Sequence, residues 1–213
     1  MDNLDQSENY FFASNHESHF DVCLIFSTLP FWLISVAKKS LLYVPIFGWA
    51  VAAGGTVWID RKNTKNAVSS MTSAAKSLTK RPGRNVIVFP EGTRTRDGNL
   101  QPFKKGGIVL AIQTGMPIVP VCVAGTMNVV PKGGRWVTPK QKLAVIYGKP
   151  IPTTGLTYDD RDMLCKQLED AVAELKKTAP KYVGRNTLVE PFWRCFVSTK
   201  PCTAKDAWGR VPA

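Results

Sequence analysis

Histidine is scarce in this chain of 213 residues: there are 2, His16 and His19, so imidazole chemistry near neutral pH rests on one short stretch. Cysteine offers little more. Cys23, Cys122, Cys165, Cys195 and Cys202 are odd in number and widely spaced, with no C-x-x-C pair and no secretory signal pattern. A disulfide framework and a structural zinc site are thereby set aside, and a reducing compartment is expected. Long hydrophobic runs are missing too. The most apolar stretch, residues 22–37, is interrupted by Ser27, Thr28 and Pro30 and falls short of the about 20 apolar residues a spanning helix needs. No transmembrane helix is expected, which leaves peripheral membrane contact open. Repeats and low-complexity tracts are absent, and a hydrophobic content of 44% excludes a disordered chain.

The most telling deficit is of acid. The chain carries 28 Lys+Arg against 16 Asp+Glu, a formal charge of +12. Between residues 22 and 158 the only acidic residues are Asp60, Glu91 and Asp97, against 18 basic ones. That part alone carries a charge of about +15, a field that suits anionic partners. A nucleic acid would call for aromatics interleaved with cations on an open face. Here most aromatics lie in apolar runs, so no nucleic-acid partner is expected.

Short β-rich segments alternate with helical ones along the chain. Residues 10–14, 31–37, 56–59, 85–89, 118–123 and 143–147 read as strands, and 20–29, 64–80, 107–114 and 157–179 as helices. Pro30 closes the first helix. Pro120 removes a ladder donor, which places its strand at an edge, in a bulge, or where no donor is needed. In the last helix Thr157 is a cap, Asp159, Asp160 and Asp162 sit in the first turns, and Leu164, Leu168, Val172 and Leu175 form one apolar stripe before Lys176-Lys177. The expected fold is α/β: one domain, residues 1–183, with a mostly buried mixed sheet flanked by helices. Residues 184–213 follow no period and read as an irregular C-terminal tail.

The chemistry-bearing residues fall in loops after strands. Both histidines lie in Ser14-Asn-His-Glu-Ser-His-Phe-Asp21. A carboxylate on one imidazole nitrogen sets the tautomer for base work by the other, so His16 and Asp21 are a candidate dyad. Five residues along a helix turn roughly 140°, so the pair requires His16 in the strand-to-helix turn and Asp21 in the first helical turn. A metal reading fails on spacing, because H-E-S-H sets the histidines three apart where H-E-x-x-H needs four. Taken alone, the run leaves open that the histidines merely cap or fill. Phe89-Pro-Glu-Gly-Thr-Arg94, with Arg96 and Lys104-Lys105-Gly106 after it, supplies backbone N–H groups, glycine and a forked guanidinium suited to phosphate. Arg61 ends another strand, where α/β folds place ligands.

Together these residues resemble the glycerolipid acyltransferase family. N-H-x-x-x-x-D is matched by Asn15, His16 and Asp21, the I-D-R block by Ile59, Asp60 and Arg61, F-P-E-G-T-R by residues 89–94 with P-F-K-K-G at 102–106, and V-P-V by residues 119–121. The resemblance is closest to enzymes that acylate 1-acyl-glycerol 3-phosphate (lysophosphatidate) to phosphatidic acid. It implies transfer of a fatty acyl group from acyl-CoA or acyl-carrier protein, with His16 as general base and Asp21 orienting it. It further implies that Arg61, Glu91, Gly92, Thr93, Arg94 and Lys105 bind the acceptor's glycerol phosphate, with no cofactor and no metal. Another acceptor, glycerol 3-phosphate or a different lyso-lipid, is the alternative within the same chemistry. A non-catalytic anionic-lipid-binding module is the alternative outside it. The implied partners are the two substrates and an anionic membrane surface, at the cytoplasmic face. Family members usually carry an apolar segment before the first block, whereas here 14 residues precede Asn15. Runs 24–32 and 41–49 are therefore the candidates for membrane contact, with ordinary core as the favoured reading of both.

Overall fold

The computed structural model describes residues 4–5, 7–29, 32–38, 56–59, 84–134 and 136–183. The helix expected at 64–80, the apolar run 41–49, Arg61 and the tail 184–213 lie outside these.

The described strands are β1 (Phe11–Ser14), β2 (Trp32–Lys38), β3 (Val57–Ile59), β4 (Arg84–Val88), β5 (Ile118–Ala124) and β6 (Ala144–Tyr147). They form one sheet in the order β3-β2-β4-β1-β5-β6. All neighbours pair parallel except β5 and β6. The sheet is thus mixed, as expected, with its only antiparallel pair among the described residues at one edge.

Alternation along each strand sends side chains to two cores. Phe11, Ala13, Val86, Val88 and Ile118 meet helices α2 (Lys105–Thr114) and α3 (Arg161–Thr178) on one face, through Ile108, Leu110, Leu164, Leu168 and Val172. Phe12, Ile87, Val119, Val121 and Val123 meet Leu24, Ile25 and Leu29 on the other, where α1 (Phe20–Thr28) lies. Residues 11–14 are buried on both faces, which explains why the strands read as continuous apolar runs rather than alternating ones. Leu24, Ile25 and Leu29 are core, so their part of run 24–32 offers no membrane contact.

The helices form where the signals lie. Thr157 and Asp160 make a reciprocal capping box, with Thr157 N–H donating to Asp160 Oδ2 at 2.7 Å. The first turn is a 3₁₀ turn (Tyr158–Asp160), and the α-helix proper starts at Arg161. Helix α2 begins at Lys105, two residues ahead of the expected start, and Gly115 ends it in the left-handed region at φ 67°.

Pro120 resolves differently from an edge position. It lies in an interior strand, between β1 and β6. Ile118 pairs with Ile151 and Val121 with Tyr147, so three steps on β5 oppose four on its partner, and the partner bulges. The proline nitrogen faces this bulge, where Gly148 donates to the Pro120 carbonyl at 2.8 Å. The ring removes a donor where the ladder is already interrupted.

The connections decide where a site can form. From β1 the chain passes by α1 to β2, crossing β4 on one face, while from β4 it passes by α2 to β5, crossing β1 on the other. Opposite directions on opposite faces keep one handedness. The loops leaving β1 and β4 therefore part to opposite sides, opening a crevice at the carboxyl ends of adjacent parallel strands.

Candidate functional site

His16 stands in the loop after β1, and Asp21 in the first turn of α1, as the five-residue spacing requires. His16 Nδ1 lies 2.8 Å from Asp21 Oδ2, with the histidine side chain 15% exposed and the aspartate fully buried. The same oxygen accepts the backbone N–H of Glu17 at 2.7 Å and of Ser18 at 2.9 Å. A carboxylate oxygen can only accept, so this contact puts a proton on Nδ1, and in the neutral ring the lone pair is then on Nε2. Asp21 Oδ1 accepts the hydroxyl of Thr126. The positive end of α1 adds to the stabilisation of this carboxylate.

The turn that carries His16 is clamped by the loop after β4. The His16 N–H donates to Glu91 Oε1 at 2.7 Å, and its carbonyl accepts Thr95 N–H at 2.9 Å. Phe89 stacks on the ring, centroids 4.1 Å apart and planes 25° off parallel. Asn15, buried after β1, continues the β5 ladder with its side chain, accepting Val123 N–H at 2.7 Å and donating to Val123 O at 2.9 Å. Glu17 is tied to Lys176 of α3 at 2.6 Å. Ser18 donates its hydroxyl to Val130 O at 2.8 Å. The imidazole is thus held through its backbone, one ring face and one ring nitrogen.

Beside the dyad lies positive charge. Burial pulls the Arg94 guanidinium below its ordinary range, and nearby Asp21 offsets this only in part, so an anion would restore what desolvation takes away. Burial, then Arg94 and His16, likewise lowers His19. Lys132 Nζ donates to the Arg94 carbonyl at 2.6 Å and to Thr93 Oγ1 at 3.1 Å. A cleft of about 590 Å³ adjoins these residues, lined by Arg96, Met127, Asn128, Pro131, Lys132 and Thr138.

His16, Asp21 and the 91–94 turn come together, and Glu91 and Lys105 have partners within the protein. Both oxygens of buried Glu91 accept backbone N–H groups, of His16 and of Gln101 (3.0 Å). Its burial pushes the carboxyl up. A carboxylate gives a phosphate no attraction, and here it braces the His16 turn. Lys105 Nζ reaches Asp162 Oδ1 at 2.6 Å, because α2 and α3 start side by side on one face of the sheet. Gly92 takes φ 70° at the turn, where its N–H donates to Phe89 O at 2.9 Å. Arg61 lies outside the described residues.

Thr126 and Lys132 escaped the sequence reading. The signal for Thr126 is its place directly after the parallel strand β5 and Gly125; for Lys132 it is a cation followed by Gly133-Gly134 in an acid-free stretch. Gly125 is required where it stands: φ is 89°, and a Cβ there would meet the Lys142 carbonyl oxygen at 2.3 Å.

At the carboxyl ends of the parallel strands of this mixed α/β domain, an oriented imidazole stands beside a cationic loop. The acyltransferase family model matches residues 1–124, and the chain belongs to that family. The 1-acyl-sn-glycerol-3-phosphate acyltransferase of Limnanthes douglasii is 36% identical over 173 residues, which cover 81% of this chain and 61% of the relative. The alpha form from Homo sapiens is 36% identical over 166 residues, 78% of this chain and 58% of its own length. The chain thus spans about three fifths of the length of these relatives. The crystal structure of the 1-acyl-sn-glycerophosphate (LPA) acyltransferase from Thermotoga maritima is similar at a TM-score of 0.65 and 29% identity, over 82% of this chain and 69% of that one.

Proposed function

We propose that this chain transfers a fatty acyl group from the thioester of coenzyme A or acyl-carrier protein to the free hydroxyl of 1-acyl-glycerol 3-phosphate, giving phosphatidic acid. The observation that carries the reading is the His16–Asp21 contact at 2.8 Å beside the Thr93–Arg94 turn and Lys132. Relatives named for this reaction over most of the chain support it.

A hydroxyl ionises far above neutral pH and needs a base as it attacks. His16 Nε2 takes the hydroxyl proton while the oxygen bonds to the thioester carbonyl carbon. The tetrahedral adduct then expels the thiolate, which takes the proton back from His16, leaving an ester and a free thiol. Asp21 holds Nδ1–H and stabilises the transient imidazolium. No acyl-enzyme forms. Arg94 and Lys132, with Arg61 and the Thr93 backbone, meet the acceptor phosphate, while Gly92 shapes the turn and Glu91 keeps the His16 backbone in place. Binding both substrates in attack geometry supplies much of the remaining rate.

The test is thiol release from acyl-CoA and acyl-carrier protein with lysophosphatidate, comparing wild type and His16→Ala in lipid vesicles. Acceptor-dependent release that falls about a hundredfold or more in His16→Ala supports the proposal. A folded wild type that releases no thiol with lysophosphatidate overturns it, as does a His16→Ala protein that keeps its rate.

A further inference from the structure

The loop 131–142 presents side chains to solvent that a soluble fold has no reason to present. Trp136 is 85% exposed and Val137 beside it 63%. Tryptophan is seldom left so open, because its large apolar ring gains from burial. The exposure is built rather than loose, for the loop is fastened at its roots. Thr138 N–H donates to Val129 O at 2.8 Å, Gly134 N–H to Pro131 O at 2.9 Å, and Lys132 to the Arg94 carbonyl. Around the apolar pair the sequence sets Lys132, Arg135, Lys140 and Lys142, and no Asp or Glu occurs between Asp97 and Asp159.

We infer that loop 131–142 is where this protein rests on an anionic lipid surface, with Trp136 and Val137 entering the interface and Lys140 and Lys142 meeting headgroups. An indole is suited to headgroup depth, and cations beside it draw the loop to anionic lipid. Charge complementarity selects this occupant: a protein partner for so basic a rim would have to be acidic, and a second copy brings the same cations against it. The loop's roots line the cleft beside Arg94. Resting this loop on a bilayer turns that cleft toward the phase in which a lyso-lipid dissolves. In this the inference rests on the acyl-transfer reading, although its test reads binding alone.

The test is flotation of the full chain with vesicles of phosphatidylcholine, or of phosphatidylcholine with about a third phosphatidylglycerol, at low and high salt. Wild type floats with the anionic vesicles in a salt-sensitive manner. Trp136→Ser/Val137→Ser lowers the partition coefficient about tenfold or more, and Lys140→Gln/Lys142→Gln lowers it about tenfold and flattens the salt dependence. Both variants keep the wild-type melting midpoint, since the four side chains lie at the surface. The inference is overturned if the Ser/Ser variant partitions as wild type does, or if wild type binds neither vesicle or both alike. A dimer in sedimentation velocity that Trp136→Ser disperses overturns it as well, making the patch a contact between copies. Acyl transfer to a short-chain, monomeric acceptor stays unchanged in the Ser/Ser variant. Failure of that chemistry in wild type, with vesicle binding intact, removes the function and leaves the docking surface.

Discussion

Thr126→Val isolates a single hydrogen bond in the site. Valine matches threonine in shape, so packing is kept, and what disappears is the hydroxyl donor to Asp21 Oδ1. Thr126 and Asp21 are both fully buried, so water does not replace the lost partner. A hydrogen bond to a charged group contributes about 1.5–3 kcal/mol. In a domain of this size each kcal/mol moves the melting midpoint by about 2–4 °C, giving a fall of roughly 3–12 °C. Differential scanning fluorimetry measures it, with urea unfolding checking that the slope is unchanged. Thr126→Ser, which keeps the donor, is the control. If Thr126→Val melts with wild type, or if Thr126→Ser falls as far, the hydroxyl is not what holds Asp21 and the reasoning fails. On the proposed chemistry the same variant turns over about ten- to a hundredfold more slowly, because an imidazole with a loosened partner spends less time aligned.

Gly125→Ala forces a Cβ against the Lys142 carbonyl at a left-handed φ of 89°, and should cost about 2 kcal/mol or more in urea unfolding; a neutral result would mean that residues 125 and 142 do not meet so closely. Glu91 sets a pH dependence. Because burial raises its folded value, its contribution is fully present below the unfolded value and lost as pH rises through the folded one. The stability of wild type relative to Glu91→Gln should therefore grow from about pH 8 to about pH 4, and urea midpoints that move the other way would contradict the raised value. Lys132→Ala should raise KM for a phosphorylated acceptor about tenfold, while Lys105→Ala, whose exposed ion pair with Asp162 points elsewhere, should change it less than about twofold. Initial-rate kinetics with the reverse order would return the phosphate to Lys105.

The sheet and its helices were legible because their signals are local. Apolar runs such as residues 118–123, the Thr157 cap and the leucine stripe of α3 act within a turn or two of themselves. The His16–Asp21 pair was legible for the same reason, since both ends lie in one eight-residue run and one strand-to-helix turn. Where pattern leaves alternatives open, the deciding partner is distant in sequence. For Pro120 the pattern leaves an edge, a bulge or a donor-free position open, and the structure shows a bulge at residues 148–150 of the partner strand. Lys105 sits in a motif that suggests phosphate, and only the fold shows that its ammonium also has an exposed ion-pair partner in Asp162.

The α/β class, the acid-poor middle of the chain, the dyad and the cationic turn all follow from residue types and short spacings. Which groups complete them depends on contacts across the fold. Parallel pairing of β4, β1 and β5 sets three chain-distant loops at one edge of the sheet. It thereby gives Asp21 its Thr126 donor, turns Glu91 from a ligand group into the brace of the His16 backbone, brings Lys132 to Arg94, and leaves Trp136 in the open. Those contacts span tens of residues, and chain connectivity across a sheet, not local propensity, brings their partners together.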